Sequence, residues 1–217
     1  MEFDGILALM VRPLKVLENV KWARTGNLGG HRVFLAANGA GWSRAAAAVE
    51  AACRGFHTDA VISTGFCGAC DPKLRIADAV VATEVGGVKA SAPPSFRGAA
   101  SGPIASINHV VQTAKEKAAL HASGAIAVEM EAAGVAAAAN RRHLPFYCVR
   151  AVTDLAGEDM ANDFNAALQP DGQFATMHIF THALHHPVTR LPELYRLRQS
   201  CVRAARTLGD FFADCRF

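Results

Sequence analysis

Glu129-Met130-Glu131 stands where the apolar run Ala125–Val128 gives way to an alanine-rich stretch, and Asp154 ends a second apolar run that begins at Leu144. Carboxylates at the ends of buried strands are placed to grip hydroxyl groups and to exchange a proton. Glu129 and Glu131 also fit a plainer role, as negative charge at a helix N-terminus. Asp154 likewise fits a helix N-cap after a strand. A third feature is the turn Asn38-Gly39-Ala40-Gly41 between an apolar run and an alanine-rich helix. Such a turn aims backbone N–H groups and a helix N-terminus at the sheet edge, a place for an anion or polar ligand. Arg44 holds the last place of what would be a Gly-x-Gly-x-x-Gly fingerprint, so a dinucleotide is not expected. Cys67 and Cys70 have metal-ligand spacing, but no second cysteine pair or suitably spaced histidine pair completes a set, and no metal is expected.

The elements that must position these groups follow from apolar spacing. Gly5–Met10 is a short apolar run and predicts a first buried strand. The spacing of Leu14, Val16, Leu17 and Val20 predicts a helix from Pro13 to Trp22, followed by a hairpin or loop from Arg24 to Gly30. His31–Ala37, Ala60–Thr64, Ala79–Thr83, Ile104–Ile107, Ala125–Val128 and Leu144–Val152 predict further strands. Helices are expected over Ala45–Gly55, Ala114–His121 behind a Thr113 cap, and Glu131–Arg142, then near 165–168, 173–185 and 192–214. Gly86–Pro103 is rich in Gly, Ala, Ser and Pro, as a loop over a site or a plain surface connection would be. Strands alternating with helices predict an α/β fold in which helices cover both faces of a mixed central sheet.

The 217 residues make one domain with a sizeable core, spanning 1–217. Hydrophobic residues reach 51%, yet no apolar run approaches the ~18 residues of a membrane span. Met1–Gly5 lacks a basic leader and cleavage site, so a cytoplasmic protein is expected. The net charge of +3 is too small to imply nucleic-acid binding. Arginines 190, 196, 198, 203 and 206 make the C-terminal section more basic, either as a solvated helix face or as peripheral contact with anionic lipid heads. Six cysteines, with no export signal, are expected to be reduced and mostly in the core.

Four phrases, in order and spacing, resemble the purine/uridine nucleoside phosphorylases and the related methylthioadenosine/S-adenosylhomocysteine nucleosidases. They are Ser63-Thr64-Gly65-Phe66-Cys67-Gly68, Lys73–Val81, Val128-Glu129-Met130-Glu131-Ala132-Ala133 and Val149–Ala156. Together with Val111–Leu120, the chain is most similar to the hopanoid-associated members, which act on adenosylhopane. The resemblance implies glycosidic cleavage of a 5′-substituted adenosine with release of adenine, no cofactor beyond phosphate as co-substrate, and a homo-oligomer. It implies Asp154 as the acid protonating the purine, Glu131 on the ribose hydroxyls with Glu129 assisting, and Met130 against the sugar. Thr64, Gly65, Phe66, Cys67, Gly68, Thr153 and Ala156 then line the nucleoside pocket; Phe66 can equally be core filling.

The nucleophile divides the family. Its hydrolytic members carry a Met-Glu-Glu-Glu phrase after the first strand, whose last glutamate activates water, whereas this chain has Met10-Val11-Arg12-Pro13. An arginine in place of an acid favours an anion. Phosphorolysis is therefore expected, with Arg12, Gly39, Ala40, Gly41 and Arg44 as the phosphate cradle, or with Arg12 as a surface residue. A hydrolytic nucleosidase and a non-catalytic nucleoside binder are the alternatives.

Overall fold

The computed structural model describes residues 2–16, 19–94 and 98–214. Two of the apolar runs become the strands that carry the site: β4 (Val61–Ala69) and β9 (Phe146–Asp154) run parallel, with Thr64 opposite Val149 and Gly68 opposite Asp154. Nearly every residue of β9 is buried, as a continuous apolar run in a parallel pair requires. On the other side of β4 lies the short antiparallel β8 (Ala127–Glu129), with Gly68 opposite Val128. Parallel β7 (Ala100–Ser106) follows β8, and β5 (Ala79–Val85) follows β7 and carries the two-residue β6 (Val88–Lys89). Because β5 also pairs antiparallel with β9, the six-stranded mixed sheet closes on itself.

Helices cover both faces. On one side α4 (Ala132–Arg141) packs over β4, β5 and β9 through small residues such as Ala132, Ala136 and Ala139, and α2 (Trp42–Gly55) packs on α4. Gly134 is where α4 crosses the start of α2: a Cβ there would lie 2.0 Å from the Trp42 carbonyl oxygen. Gly134→Ala is therefore expected to cost about 1–3 kcal/mol, the usual range for overpacking. Urea unfolding checks it, and an unchanged midpoint would remove this contact from the account.

On the opposite face α1 (Asp4–Leu9) crosses the long α7 (Pro187–Asp214), with Ile6 and Leu208 in one buried cluster. Here the structure departs from the expected first strand. A six-residue apolar run has no periodicity that separates strand from buried helix. Backbone contact of Gly5 with Ala205 and Gly209 on α7 decides it: a Cβ on Gly5 would sit 1.9 Å from the Ala205 carbonyl oxygen.

The helix expected over 13–22 is also absent, and its Leu17 lies outside the described residues. Instead β1 (Val11–Lys15), β2 (Trp22–Leu28) and β3 (His31–Ala37) form a separate three-stranded antiparallel sheet. β1 is exposed along its length and lies at the edge, where Pro13 removes no needed hydrogen bond. The segment read as a loop from 86 to 103 contributes β6 and the start of β7, part of it (95–97) lying outside the described residues.

The remaining helices are α3 (Ala114–Ala122), α5 (Phe164–Ala167) and α6 (Thr176–Ala183). Thr113 caps α3 as expected, its side chain accepting from the Glu116 N–H at 3.2 Å. α7 starts at Pro187, where an N–H is dispensable, carries Pro192 inside the helix, where one i→i−4 bond is lost, and leaves Arg196, Arg198, Arg203 and Arg206 exposed. No described helix is long and apolar enough to cross a membrane. Cys215 lies outside the described residues; the other five cysteines are free thiols.

Candidate active site

Strand order does the first part of the assembly. With β4 between β8 and β9, the end of β4 has Glu129 on one side and Asp154 on the other. Glu131 follows at the N-cap of α4, and the turn before α2 closes over it. A cavity of about 1330 Å³ opens along these elements. Thr64, Phe66, Cys67, Gly68, Glu129, Met130, Glu131, Thr153 and Asp154 line it, as do Gly39 and Ala40.

The two glutamates divide their work. Glu129 is buried, and its Oε2 accepts from the Glu131 N–H at 2.9 Å and the Ala132 N–H at 2.8 Å. The same oxygen takes the Arg150 guanidinium at 2.5 Å, while Arg150 also donates to Ser63 Oγ at 2.8 Å. Glu129 thus anchors the start of α4 and neutralises a buried arginine. Burial works against the charge on Arg150, but Glu129, Cys148, Glu131 and Glu2 raise its pKa overall. Glu131 is more open, with 28% of its side chain exposed, 3.8 Å from Arg150, and its Oε1 accepts from the Gly41 N–H at 3.4 Å. Burial pushes the Glu131 carboxyl up to about 7, helped by the charges of Glu129 and Glu2 and opposed by Arg150.

Asp154 holds the other wall. Its Oδ1 accepts from Thr153 Oγ1 at 3.0 Å, and its Oδ2 lies 2.7 Å from Lys117 Nζ. Burial raises its carboxyl above the ordinary range against the pull of Lys117. A Cβ at position 68 would sit 2.7 Å from Asp154 Oδ2, so Gly68 is what lets this carboxylate lie against β4. Burial pushes the Cys67 thiol well up and Cys148 to about 12, so these thiols are core packing rather than nucleophiles. Thr64 Oγ1 and Glu129 Oε1 are buried without a hydrogen-bond partner. Such groups cost free energy unless something satisfies them, and both residues line the cavity.

Other expected site residues lie elsewhere. Gly41 and Arg44 line a neighbouring cavity of about 350 Å³, which shares Ala40 and Met130 with the larger one. Arg44 donates to the carbonyls of Ala40, at 3.0 Å, and Pro170. Gly65, at φ 150°, backs the cavity wall against Arg150 and Glu2, and Ala156 packs on the core. Arg12 lines neither cavity: it is exposed on β1 with φ 52°. The expected phosphate contact at Arg12 depended on a first strand entering the central sheet, and that segment is α1 followed by an edge strand.

Three residues without an assigned role belong to this site. Glu2 reaches back from the chain start to line the cavity, its Oε1 accepting from the Phe66 N–H at 3.2 Å. Arg150 was visible as a charge inside an apolar run, the signature of a buried ion pair. Lys117 gave no signal, since with Lys115 and Glu116 it reads as part of a solvated charged face.

A sequence profile described as the phosphorylase superfamily matches residues 21–106 and 96–179. The chain is 28% identical over 179 residues to the 5′-methylthioadenosine/S-adenosylhomocysteine nucleosidase of Pseudoalteromonas translucida, covering 67% of this chain and 76% of that protein. It is 29% identical over 181 residues to the nucleosidase of the same name from Anoxybacillus flavithermus, covering 67% and 77%. Among solved structures, the Neisseria meningitidis nucleosidase in complex with methylthio-immucillin-A superposes with a TM-score of 0.66 at 24% identity, over 95% of this chain and 92% of that one. The Helicobacter pylori nucleosidase superposes with a TM-score of 0.69 at 18% identity, over 96% and 90%. At such identities the superpositions speak for the fold. The profile spans the strands that carry Asp154 and the glutamates, and with it the chain belongs to the phosphorylase superfamily.

Proposed function

We propose that this protein cleaves the N-glycosidic bond of a 5′-substituted adenosine and releases adenine. The observation that carries this reading is the pair of carboxylates in one cavity, Asp154 and Glu131, both raised by burial. A protonated Asp154 gives its proton to the purine N7 while the C1′–N9 electron pair moves onto the base, and Glu131 accepts from ribose hydroxyls. The relatives bearing nucleosidase names support adenosine derivatives as the substrate class.

The 5′ group is apolar in this reading. Val33, Phe34, Phe56, Phe66, Ile179 and Leu197 line the cavity beyond the carboxylates. Their apolar surface suits a large hydrocarbon substituent better than a short polar one. Adenosylhopane fits that description.

Water is the nucleophile favoured by Glu2, a third carboxylate whose charge acts on both Glu131 and Arg150. In this scheme Glu2 takes a proton from water as its oxygen bonds to C1′. Phosphate is the second reading, favoured by the smaller cavity at the N-terminus of α2, where Ser43 and Arg44 meet Met130. The test is product identity with 5′-methylthioadenosine and a 5′-alkylthio analogue of long chain, with and without phosphate. Adenine and a free thioribose in phosphate-free buffer, faster for the long chain, is the expected result. A sugar 1-phosphate formed only with phosphate would replace water by the second reading. Intact nucleosides under every condition would remove the cleavage reading itself.

A further inference from the structure

Lys117 is fully buried on α3, and each of its three ammonium hydrogens has an acceptor. Nζ lies 2.7 Å from Asp154 Oδ2, 2.8 Å from the Leu155 carbonyl oxygen and 3.4 Å from the Glu158 carbonyl oxygen. The helix that carries it is tied to the same loop a second time, through the Ala114 N–H on Asp159 Oδ1 at 2.6 Å. A lysine held this way resembles a tripod: the two carbonyls fix the ammonium, and the ammonium fixes one oxygen of the carboxylate. Thr153 fixes the other oxygen, and Gly68 leaves the room.

An ammonium sealed from water is costly to bury unless its charge is matched. Packing alone would be served better by leucine or methionine. We propose that Lys117 is the positioning residue of Asp154: it holds Oδ2 toward α3, so that Oδ1 meets the purine, and supplies the charge against which this carboxyl takes up and loses its proton. The proposal rests on Asp154 as the proton donor of the reaction above. The other ionisable groups bearing on Asp154 are Glu158 in the following loop, Cys67 and Cys70 from the end of β4, and Cys201 on α7. Among these only Lys117 brings positive charge, and only it touches the carboxylate.

The experiment is the pH dependence of kcat/KM for adenine release in Lys117→Met, Lys117→Gln and Lys117→Arg, with Asp154→Asn alongside. Activity requires the protonated carboxyl, so the alkaline limb reports its loss. Removing an opposite charge within hydrogen-bond distance should move that limb up by about one to three pH units. The rate at the new optimum should fall about tenfold or more as Oδ1 loses its aim, a modest share of a general acid's contribution. Lys117→Arg should return the limb toward its original place. A purely structural lysine would lower the rate equally at every pH and leave the limb where it was, which overturns the proposal.

Should the neutral variants not fold, the unsubstituted protein still decides. The Lys117 Nζ signal in 15N NMR should shift in the same pH step as the alkaline limb, because the carboxylate that changes charge there lies 2.7 Å from it. A signal constant across that limb also overturns the proposal. Wild-type turnover in Asp154→Asn would instead remove the underlying reading, whatever Lys117 does.

Discussion

Asp154→Asn is expected to lower the rate of adenine release by about 10²–10⁴-fold, the usual contribution of a general acid, in a protein that still folds but is less stable because the buried Lys117 ammonium loses its counter-charge. The amide is isosteric: its oxygen can keep the Lys117 contact and its NH2 can donate to Thr153 Oγ1, yet it has no acidic proton to give. Adenine leaves poorly as an anion, so the missing proton falls on the step that breaks C1′–N9. Burial already raises the native carboxyl, and its neighbours fix both oxygens, so the wild-type group is prepared for this transfer. Single-turnover adenine release, with circular dichroism to confirm the fold, makes the measurement. More than a tenth of wild-type turnover would take Asp154 out of the role.

The second large effect is expected on stability. Arg150→Met should cost about 3–5 kcal/mol, the range for breaking a buried ion pair from one side. Arg150 is 2% exposed and donates to both Glu129 and Ser63. Without it Glu129 keeps its two backbone N–H donors but becomes an uncompensated charge in the core, and Ser63 Oγ loses its donor. Glu131 also loses the cation that opposes its burial, so its carboxyl should be neutral across more of the physiological range. Urea unfolding of the variant against wild type gives the number. Adding Glu129→Gln should recover part of the loss, because it removes the stranded charge. A cost below about 1 kcal/mol would show that the pair is relaxed by water or by movement of α4.

The pair also explains why two glutamates two residues apart cannot do the same work. Glu129 ends a strand and is buried against Arg150 at the cavity wall; the chain then turns, and Glu131 at the α4 N-cap is the more open of the two. Both are acidic and both precede an alanine-rich helix, so composition and spacing treat them alike. What separates them is Arg150, reached through β4 from a strand twenty residues later. The family resemblance gave both to the sugar, Glu131 first with Glu129 assisting, and in the packing Arg150 takes Glu129 Oε2 while Oε1 has no protein partner.

The N-terminal third was the least legible part. Its apolar runs are short, and a run of six residues satisfies a strand and a helix equally. The glycines at 5 and 209 settle the matter only when α1 and α7 meet, an encounter two hundred residues apart in sequence. Arg12 followed that misreading: placed after an assumed core strand it pointed to phosphate, whereas at the edge of a small outer sheet it faces solvent. Glu2 went unnoticed for the mirror-image reason. A charged residue beside the chain start reads as solvated until the fold brings it to the Phe66 N–H.

Taken alone, the sequence determined the alternation of apolar strands with alanine-rich helices, the cap at Thr113, and the strand that ends on Asp154, whereas the turn expected at Gly65–Gly68 is a continuation of β4. These are local properties: side-chain period, capping chemistry and backbone freedom act within a few residues, so the chain carries them wherever it goes. Only the tertiary structure decided which carboxylate is sealed and which is open, that Lys117 stands behind Asp154, and that the chain start supplies a carboxylate to the cavity. Those outcomes depend on strand order, on β4 lying between β8 and β9, and on the closure of the sheet by β5 against β9. The energy of a buried charge is set by what surrounds it in space, and its surroundings come from distant parts of the chain.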